Sequence, residues 1–227
     1  MNLRILTELD RILKSNPALK YDDYSMTQVV NGVFDIALTV QDIPVESGIE
    51  ELAQIIDDSV LHNYFSKVWQ PETKKYKYSG LSIIDEVNAM KPRRVVDLGC
   101  GYNEFKGKIK NLIGVDSYND KADIREYVHT FRSKEKFDVA ICLGSINFGS
   151  SDKIINELKS AIDLVTPTGI LYFRVNPGRQ HDNEESKWIN FYDWDPVFIS
   201  NIAEFFNCDL LTIRKDLNRL YFVLKKR

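Results

Sequence analysis

From Arg93 onward, six short apolar runs punctuate the chain: Val95 to Leu98, Leu112 to Val115, Val139 to Leu143, Ile170 to Val175, Leu210 to Ile213 and Leu220 to Leu224. Their alternation with helical stretches constrains the fold more than any other feature. Each parallel strand needs a crossover, usually a helix, so this pattern builds a parallel sheet covered on both faces. The helical stretches are a very short one near Glu104 to Lys108, a clear one from Asp152 to Val165, and one from Pro196 to Phe206. The last has Asp195 as its cap and Pro196 in its first turn. The final two runs differ, because Lys215 to Arg219 is too short to cross a sheet and joins only an antiparallel pair. The expectation is an α/β chain: a doubly wound, mostly parallel sheet with a C-terminal antiparallel strand pair.

Before Arg93 the texture is helical. Leu3, Leu6, Leu9 and Leu13, supported by Ile5 and Ile12, recur at helical spacing until Asn16-Pro17. Val29, Val30, Val33, Phe34, Ala37 and Leu38 fit a helix opened by a Ser25/Gln28 capping box, although Asn31-Gly32 also reads as a hairpin turn; the helix is favoured. A third helix is expected from Ser47, with Glu50 in the capping position, to about Leu61. Tyr76 to Gly80 reads as a loop leading to a helix over Ile83, Ile84 and Val87 that Pro92 ends. Residues 1–75 are therefore read as a mostly helical N-terminal cap and 76–227 as the core.

Charge divides along similar lines. Residues 1–90 hold 8 Lys/Arg against 14 Asp/Glu, and the remainder 22 against 19, for a chain total of -3 and a pI near 5.7. Such a balance gives no global positive field for nucleic acid. Two small basic patches, Lys74, Lys75, Lys77 and Lys106, Lys108, Lys110, read as solvated faces. No apolar run approaches the roughly 18 residues of a spanning helix, so no membrane association is expected. Cys100, Cys142 and Cys208 are odd in number and lack zinc or disulfide spacing. A cytoplasmic protein with no metal site is expected, and Met1 to Asp10 lacks the long apolar core of an export signal.

The chemistry is concentrated in Val95-Val96-Asp97-Leu98-Gly99-Cys100-Gly101-Tyr102-Asn103, followed by Gly114-Val115-Asp116. A strand that ends in glycines lets the backbone turn tightly and approach a ligand at the carboxyl edge of a sheet. An acid ending the next strand can accept from ribose hydroxyls. Dinucleotide-binding proteins share both features, but their fingerprint wants Gly or Ala where this chain has Glu104. Asp97, two places before the first glycine, suits a cationic ligand better than a diphosphate.

Over about residues 76–227 the chain resembles the class I, Rossmann-like S-adenosylmethionine-dependent methyltransferases. The resemblance implies a seven-stranded core and S-adenosylmethionine as cofactor. It further implies that Asp97, Gly99 and Gly101 line the methionine end, that Asp116 holds the ribose, and that Asp123 lies beside the adenine. Phe137 to Leu143 resembles the family's fourth strand, whose end, Leu143 and Gly144, faces the reacting methyl group. Leu164 to Leu171 resembles its helix, turn and fifth strand. Asn103 replaces the usual third glycine, which Asn tolerates because it visits left-handed conformations readily.

The acceptor is expected to be a small molecule or protein rather than duplex DNA. Gly144-Ser145-Ile146-Asn147-Phe148 lacks both the proline-aromatic loop of amino-group base methyltransferases and the Pro-Cys nucleophile of cytosine C5 enzymes. Cys142, inside its strand, reads as a small core residue. After the fifth strand, Asn176 to Asp182 and the aromatics Trp188, Phe191, Tyr192 and Trp194 form a candidate acceptor wall with Asn147. His181 is the candidate general base. Tyr76, Tyr78, Ser79 and Gly80 are placed to fold over the cofactor as a lid. A catalytically silent binding protein of the same fold is the alternative, and a nucleotide-dependent oxidoreductase the third reading.

Overall fold

The computed structural model describes residues 61, 62, 64–179, 181, 186 and 189–227. The helices expected within residues 1–60, and Trp188, lie outside them. Two compact units divide the chain: Met1–Val68 with His181–Asn190, and Trp69–Gln180 with Phe191–Arg227. In the first, Tyr64–Val68 forms a π-helical turn. Tyr64 Oη lies 3.0 Å from His181 Nδ1, and Ser186 Oγ donates to the His181 carbonyl at 2.9 Å.

The second unit is built on one six-stranded sheet. Its strands are β1 (Val95–Leu98), β2 (Leu112–Val115), β3 (Phe137–Leu143), β4 (Val165–Val175), β5 (Cys208–Asp216) and β6 (Arg219–Lys226), in the order β2-β1-β3-β4-β6-β5. All neighbours from β2 to β4 run parallel, whereas β6 is antiparallel to both β4 and β5. Three helices accompany them: α1 (Ile84–Ala89), entered through the 3-10 turn Gly80–Ile83, α2 (Ser151–Leu164) and α3 (Pro196–Phe205).

Strand side chains alternate between two cores, as a two-residue period requires. Val96, Ala140, Cys142, Leu171, Phe173, Phe222 and Leu224 pack with Ile154, Leu158 and Ala161 of α2 and Ile199 and Ile202 of α3. Val95, Val139, Ile141, Tyr172, Tyr221 and Val223 face the other way, onto Ile83 and Val87. The caps are local. Ser150 Oγ accepts from Lys153 N, and the Asp195 carboxylate accepts from Val197 N and Phe198 N at 2.7 and 3.0 Å, with Pro196 in the first turn.

Two expectations are corrected. No helix forms over Glu104 to Lys108; the segment is a series of turns. Gly107 at φ +77° and Asn111 at φ +58° interrupt helical geometry before a second turn can close. Phe105 and Ile109 nevertheless bury against the α1-side core, taking the place of a helix. Among the described residues the sheet has six strands and not seven, since the segment after β2 contributes only a parallel bridge between Val115 and Ile124. That segment, Ser117 to Arg125, offers one aliphatic residue larger than alanine, Ile124, and so cannot sustain a buried strand.

Candidate functional site

Strand order reverses direction between β1 and β3, because β1 is followed by β2 on one side and β3 lies on the other. Ligands in open α/β sheets bind in the crevice beyond the carboxyl ends of strands at such a switch. Gly99 leaves β1 at φ +73° and Gly101 follows at φ +52°. A Cβ on Gly99 would stand 2.2 Å from Ser145 Cβ in the loop after β3, and one on Gly101 would stand 2.7 Å from the Trp69 ring. Both glycines are therefore fixed by space as well as by conformation. Asn103 takes φ +56°, the left-handed position expected of it.

Carboxylates gather beneath this loop. Asp97 is buried, and that burial, followed by the charge of Asp116, pushes its carboxyl up to about 8. Asp116 is the hub of the turns: Oδ2 accepts from Gly101 N at 2.9 Å, while Oδ1 accepts from Tyr118 N at 2.7 Å and Asn119 N at 2.9 Å. A carboxylate has about four acceptor positions, so one position on Oδ2 stays available. Asp123 accepts from Gly114 N at 2.8 Å, Lys106 Nζ at 2.9 Å and, at 3.4 Å, Asn103 Nδ2. Burial acts to raise its carboxyl, but the bonds from Lys106, Gly114 and Asn103 together hold it below the usual value.

The loop after β3 completes this edge. Gly144 has φ +94° and its N–H donates to the Arg174 carbonyl at 2.9 Å. Asn147 is fully buried; its Oδ1 accepts from Asn176 N at 2.7 Å and its carbonyl from Tyr192 N, while Nδ2 has no partner. Trp194 lies in the α2/α3 core, 1% exposed, with Nε1 donating to the Ile146 carbonyl at 3.1 Å and its ring against Phe198 and Phe222. Its contribution is packing. Tyr192, half-buried, meets Trp194 edge-on. His181 belongs to the first unit, where Tyr64 engages Nδ1.

Several residues at this edge escaped the sequence reading. Asp216, 2% exposed, accepts from Lys77 N and Tyr78 N, each at 3.0 Å, and from Ser79 Oγ at 2.8 Å. The expected lid segment is thus tied to the start of the β5–β6 hairpin turn. Trp69 lies over Gly101 and stacks at a tilt on Tyr102, whose hydroxyl accepts from Gln70 Nε2. Thr73 Oγ1 donates to the Glu104 carboxylate. Arg174 had a legible signal: it is the one charged residue in the apolar run Ile170 to Val175.

No protein-family model matches the chain, and no curated protein matches it by sequence. Solved structures do. One is the 1,6-didemethyltoxoflavin N1-methyltransferase of Burkholderia thailandensis with 1,6-didemethyltoxoflavin and S-adenosylhomocysteine bound, at 16% identity over 82% of this chain and 93% of that one, TM-score 0.60. A second is the magnesium protoporphyrin IX methyltransferase of Synechocystis with S-adenosylmethionine, at 12% identity over 75% and 97%, TM-score 0.53. A third is an amino pentose methyltransferase of calicheamicin biosynthesis from Micromonospora echinaspora, also with S-adenosylmethionine, at 15% identity over 64% and 89%, TM-score 0.50. The chain has the class I methyltransferase fold, as these three and a further methyltransferase from Clostridium acetobutylicum show.

Proposed function

We propose that this chain is an S-adenosylmethionine-dependent methyltransferase acting on a small-molecule acceptor. The observation that carries the reading is the assembly of Asp97, Gly99, Gly101 and Asp116 around one loop at the switch point, with Asp97 buried among them. The similar structures bind this cofactor or its demethylated product, and those named act on small molecules. The residues fit such a ligand in kind. Asp97, once it releases its proton, offers a negative charge to a cationic amino group, and Gly99 and Gly101 keep the backbone bare of side chains. Asp116 would offer Oδ2 to a ribose hydroxyl while holding the loop, and Asp123 would meet the adenine.

When bound, the cofactor supplies a methyl group already activated on a sulfonium, so the protein's work is to position the acceptor and exclude water. Leu143 and Gly144 would border the reacting centre, with Asn147 and Tyr192 behind the acceptor.

Calorimetry with S-adenosylhomocysteine tests the reading itself. Wild-type protein is expected to bind, and Asp116→Ala to weaken binding by about 1.5 to 3 kcal/mol, the range for hydrogen bonds to a charged group. Binding of a nicotinamide dinucleotide with none of the sulfur ligand would overturn it.

A further inference from the structure

Arg174 lies near the carboxyl end of β4, in a run that is otherwise apolar. It is 8% exposed, and its neighbours account for only part of its donor capacity. Nη2 makes one long contact to the Leu143 carbonyl at 3.4 Å, and the guanidinium stacks over the Tyr76 ring with 4.1 Å between Cζ and the ring centroid. Nε and Nη1 are buried and have no hydrogen-bond partner. Between them they carry three N–H donors.

A buried cation is ordinarily paired, because losing water without gaining an acceptor is costly. The nearby acid faces other donors: the Asp216 carboxylate accepts three bonds from the Lys77–Ser79 segment and none from Arg174. Glu72 is bonded to Lys75 at 2.7 Å. Tyr76, Arg219, Asp216 and Glu72 all lie within electrostatic range of Arg174, so its surroundings hold a second guanidinium as well as two carboxylates. The position of this charge is specific. Nη2 lies 3.3 Å from where a Gly144 Cβ would stand, so the guanidinium borders the loop leaving β3, next to the proposed methyl-transfer centre.

We infer that Arg174 receives an oxyanion of the acceptor, a carboxylate or phosphate, and so restricts the substrates of this site to anionic small molecules. The inference rests on the methyltransferase reading for the identity of the ligand as acceptor. It goes beyond that reading in giving the acceptor a charge and the chain a specificity-determining residue. A neutral acceptor would leave the three N–H donors unpaired in the bound state. That penalty is what excludes it, since sites built around buried polar groups reject analogues that cannot pair them.

The test uses the full chain in three forms: wild type, Arg174→Met, which keeps bulk without charge, and Arg174→Lys, which keeps charge. Each is saturated with S-adenosylhomocysteine and titrated with inorganic phosphate, benzoate and neutral benzamide, with the thermal midpoint and calorimetric affinity as readouts. Wild type is expected to gain a few degrees from at least one anion at about 10 mM and nothing from benzamide. Arg174→Lys should keep part of that response, and Arg174→Met should lose it by at least about tenfold in affinity while binding S-adenosylhomocysteine as wild type does. Phosphate alone acting would assign a phosphate acceptor, and benzoate alone a carboxylate. Equal anion responses in wild type and Arg174→Met, no response in wild type to either anion, or a tenfold loss of S-adenosylhomocysteine affinity in Arg174→Met would each overturn the inference. In the last case the guanidinium serves the cofactor. Failure of the methyltransferase reading looks different: wild type itself then fails to bind S-adenosylhomocysteine, which withdraws the acceptor assignment whatever the anions do.

Discussion

Asp97 is the residue whose chemistry is most displaced from that of a free side chain. Burial and the charge of Asp116 lift its carboxyl to about 8, so the folded protein holds a proton that the unfolded chain releases near pH 4. Because the folded value is the higher one, the stabilisation is complete below the unfolded value and drains away as pH rises toward 8. Asp97→Asn, which cannot ionise, is therefore expected to be more stable than wild type at pH 8 and nearly equal to it at pH 4, as read by denaturant midpoints. The same displacement couples to the proposed ligand. A cationic amino group needs the ionised carboxylate, so affinity for S-adenosylhomocysteine should rise by up to roughly tenfold per unit between pH 6 and 8 and flatten above that. Calorimetry in buffers of different ionisation enthalpy should detect proton release on binding at pH 7. A flat affinity profile with no proton release would mean that Asp97 never meets the cationic end. Asp216 is the other acid with a singular role. Its replacement by alanine removes the acceptor for three donors of the Lys77–Ser79 segment and is expected to cost about 3 kcal/mol or more in urea unfolding.

At the scale of elements, β1 and β2 fall where the apolar runs put them, since in both the run is the whole strand. The other strands extend beyond their runs: β5 continues to Asp216 and β6 begins at Arg219, pairing Lys215 with Leu220 and Asp216 with Arg219. Ladder bonds are made by the backbone, so polar residues prolong a hairpin that hydrophobic pattern alone ends early. The missing helix after Gly101 has the opposite cause, because local turn residues defeat a pattern whose apolar members, Phe105 and Ile109, still reach the core. Within β4, between its pairings at Val165 and Ile170, the chain passes through Thr168 at φ +66°, an exposed β-branched residue in left-handed geometry. Such a residue carries strain of roughly 1 kcal/mol or more. Thr168→Asn should relieve part of it and raise stability by about 0.5 to 1 kcal/mol, and a destabilised variant would show that the threonine has a compensating contact.

For the whole molecule, the fold was more legible than the site. Alternating runs and one short polar link imply the mixed sheet, because topology follows from connection length. Roles at the edge depend on which side chains converge from distant strands, and spacing along the chain does not carry that information. The aromatic neighbours of Trp194 along the chain suggest a substrate wall, yet its indole closes the α2/α3 core. Arg174, whose guanidinium borders Gly144, belongs to no motif. Charge shows the same contrast between composition and placement. The chain carries a net -3, and several lysines of the two apparent basic patches are engaged. Lys106 is bound to Asp123 at 2.9 Å and to the Leu112 carbonyl, Lys75 pairs with Glu72, and Lys77 lies over the Tyr78 ring. Each engaged lysine is one fewer to neutralise phosphate, and affinity for duplex DNA scales with the number of phosphates neutralised. A mobility assay with duplex DNA at physiological salt is therefore expected to show no sequence-specific retention. Any weak retention at low salt should have a shallow dependence, a slope near that of one or two phosphate contacts, and should vanish by about 0.2 M salt. A steep slope with a preferred sequence would instead mean that Lys74, Lys108 and Lys110 act together on the backbone while another surface reads the bases.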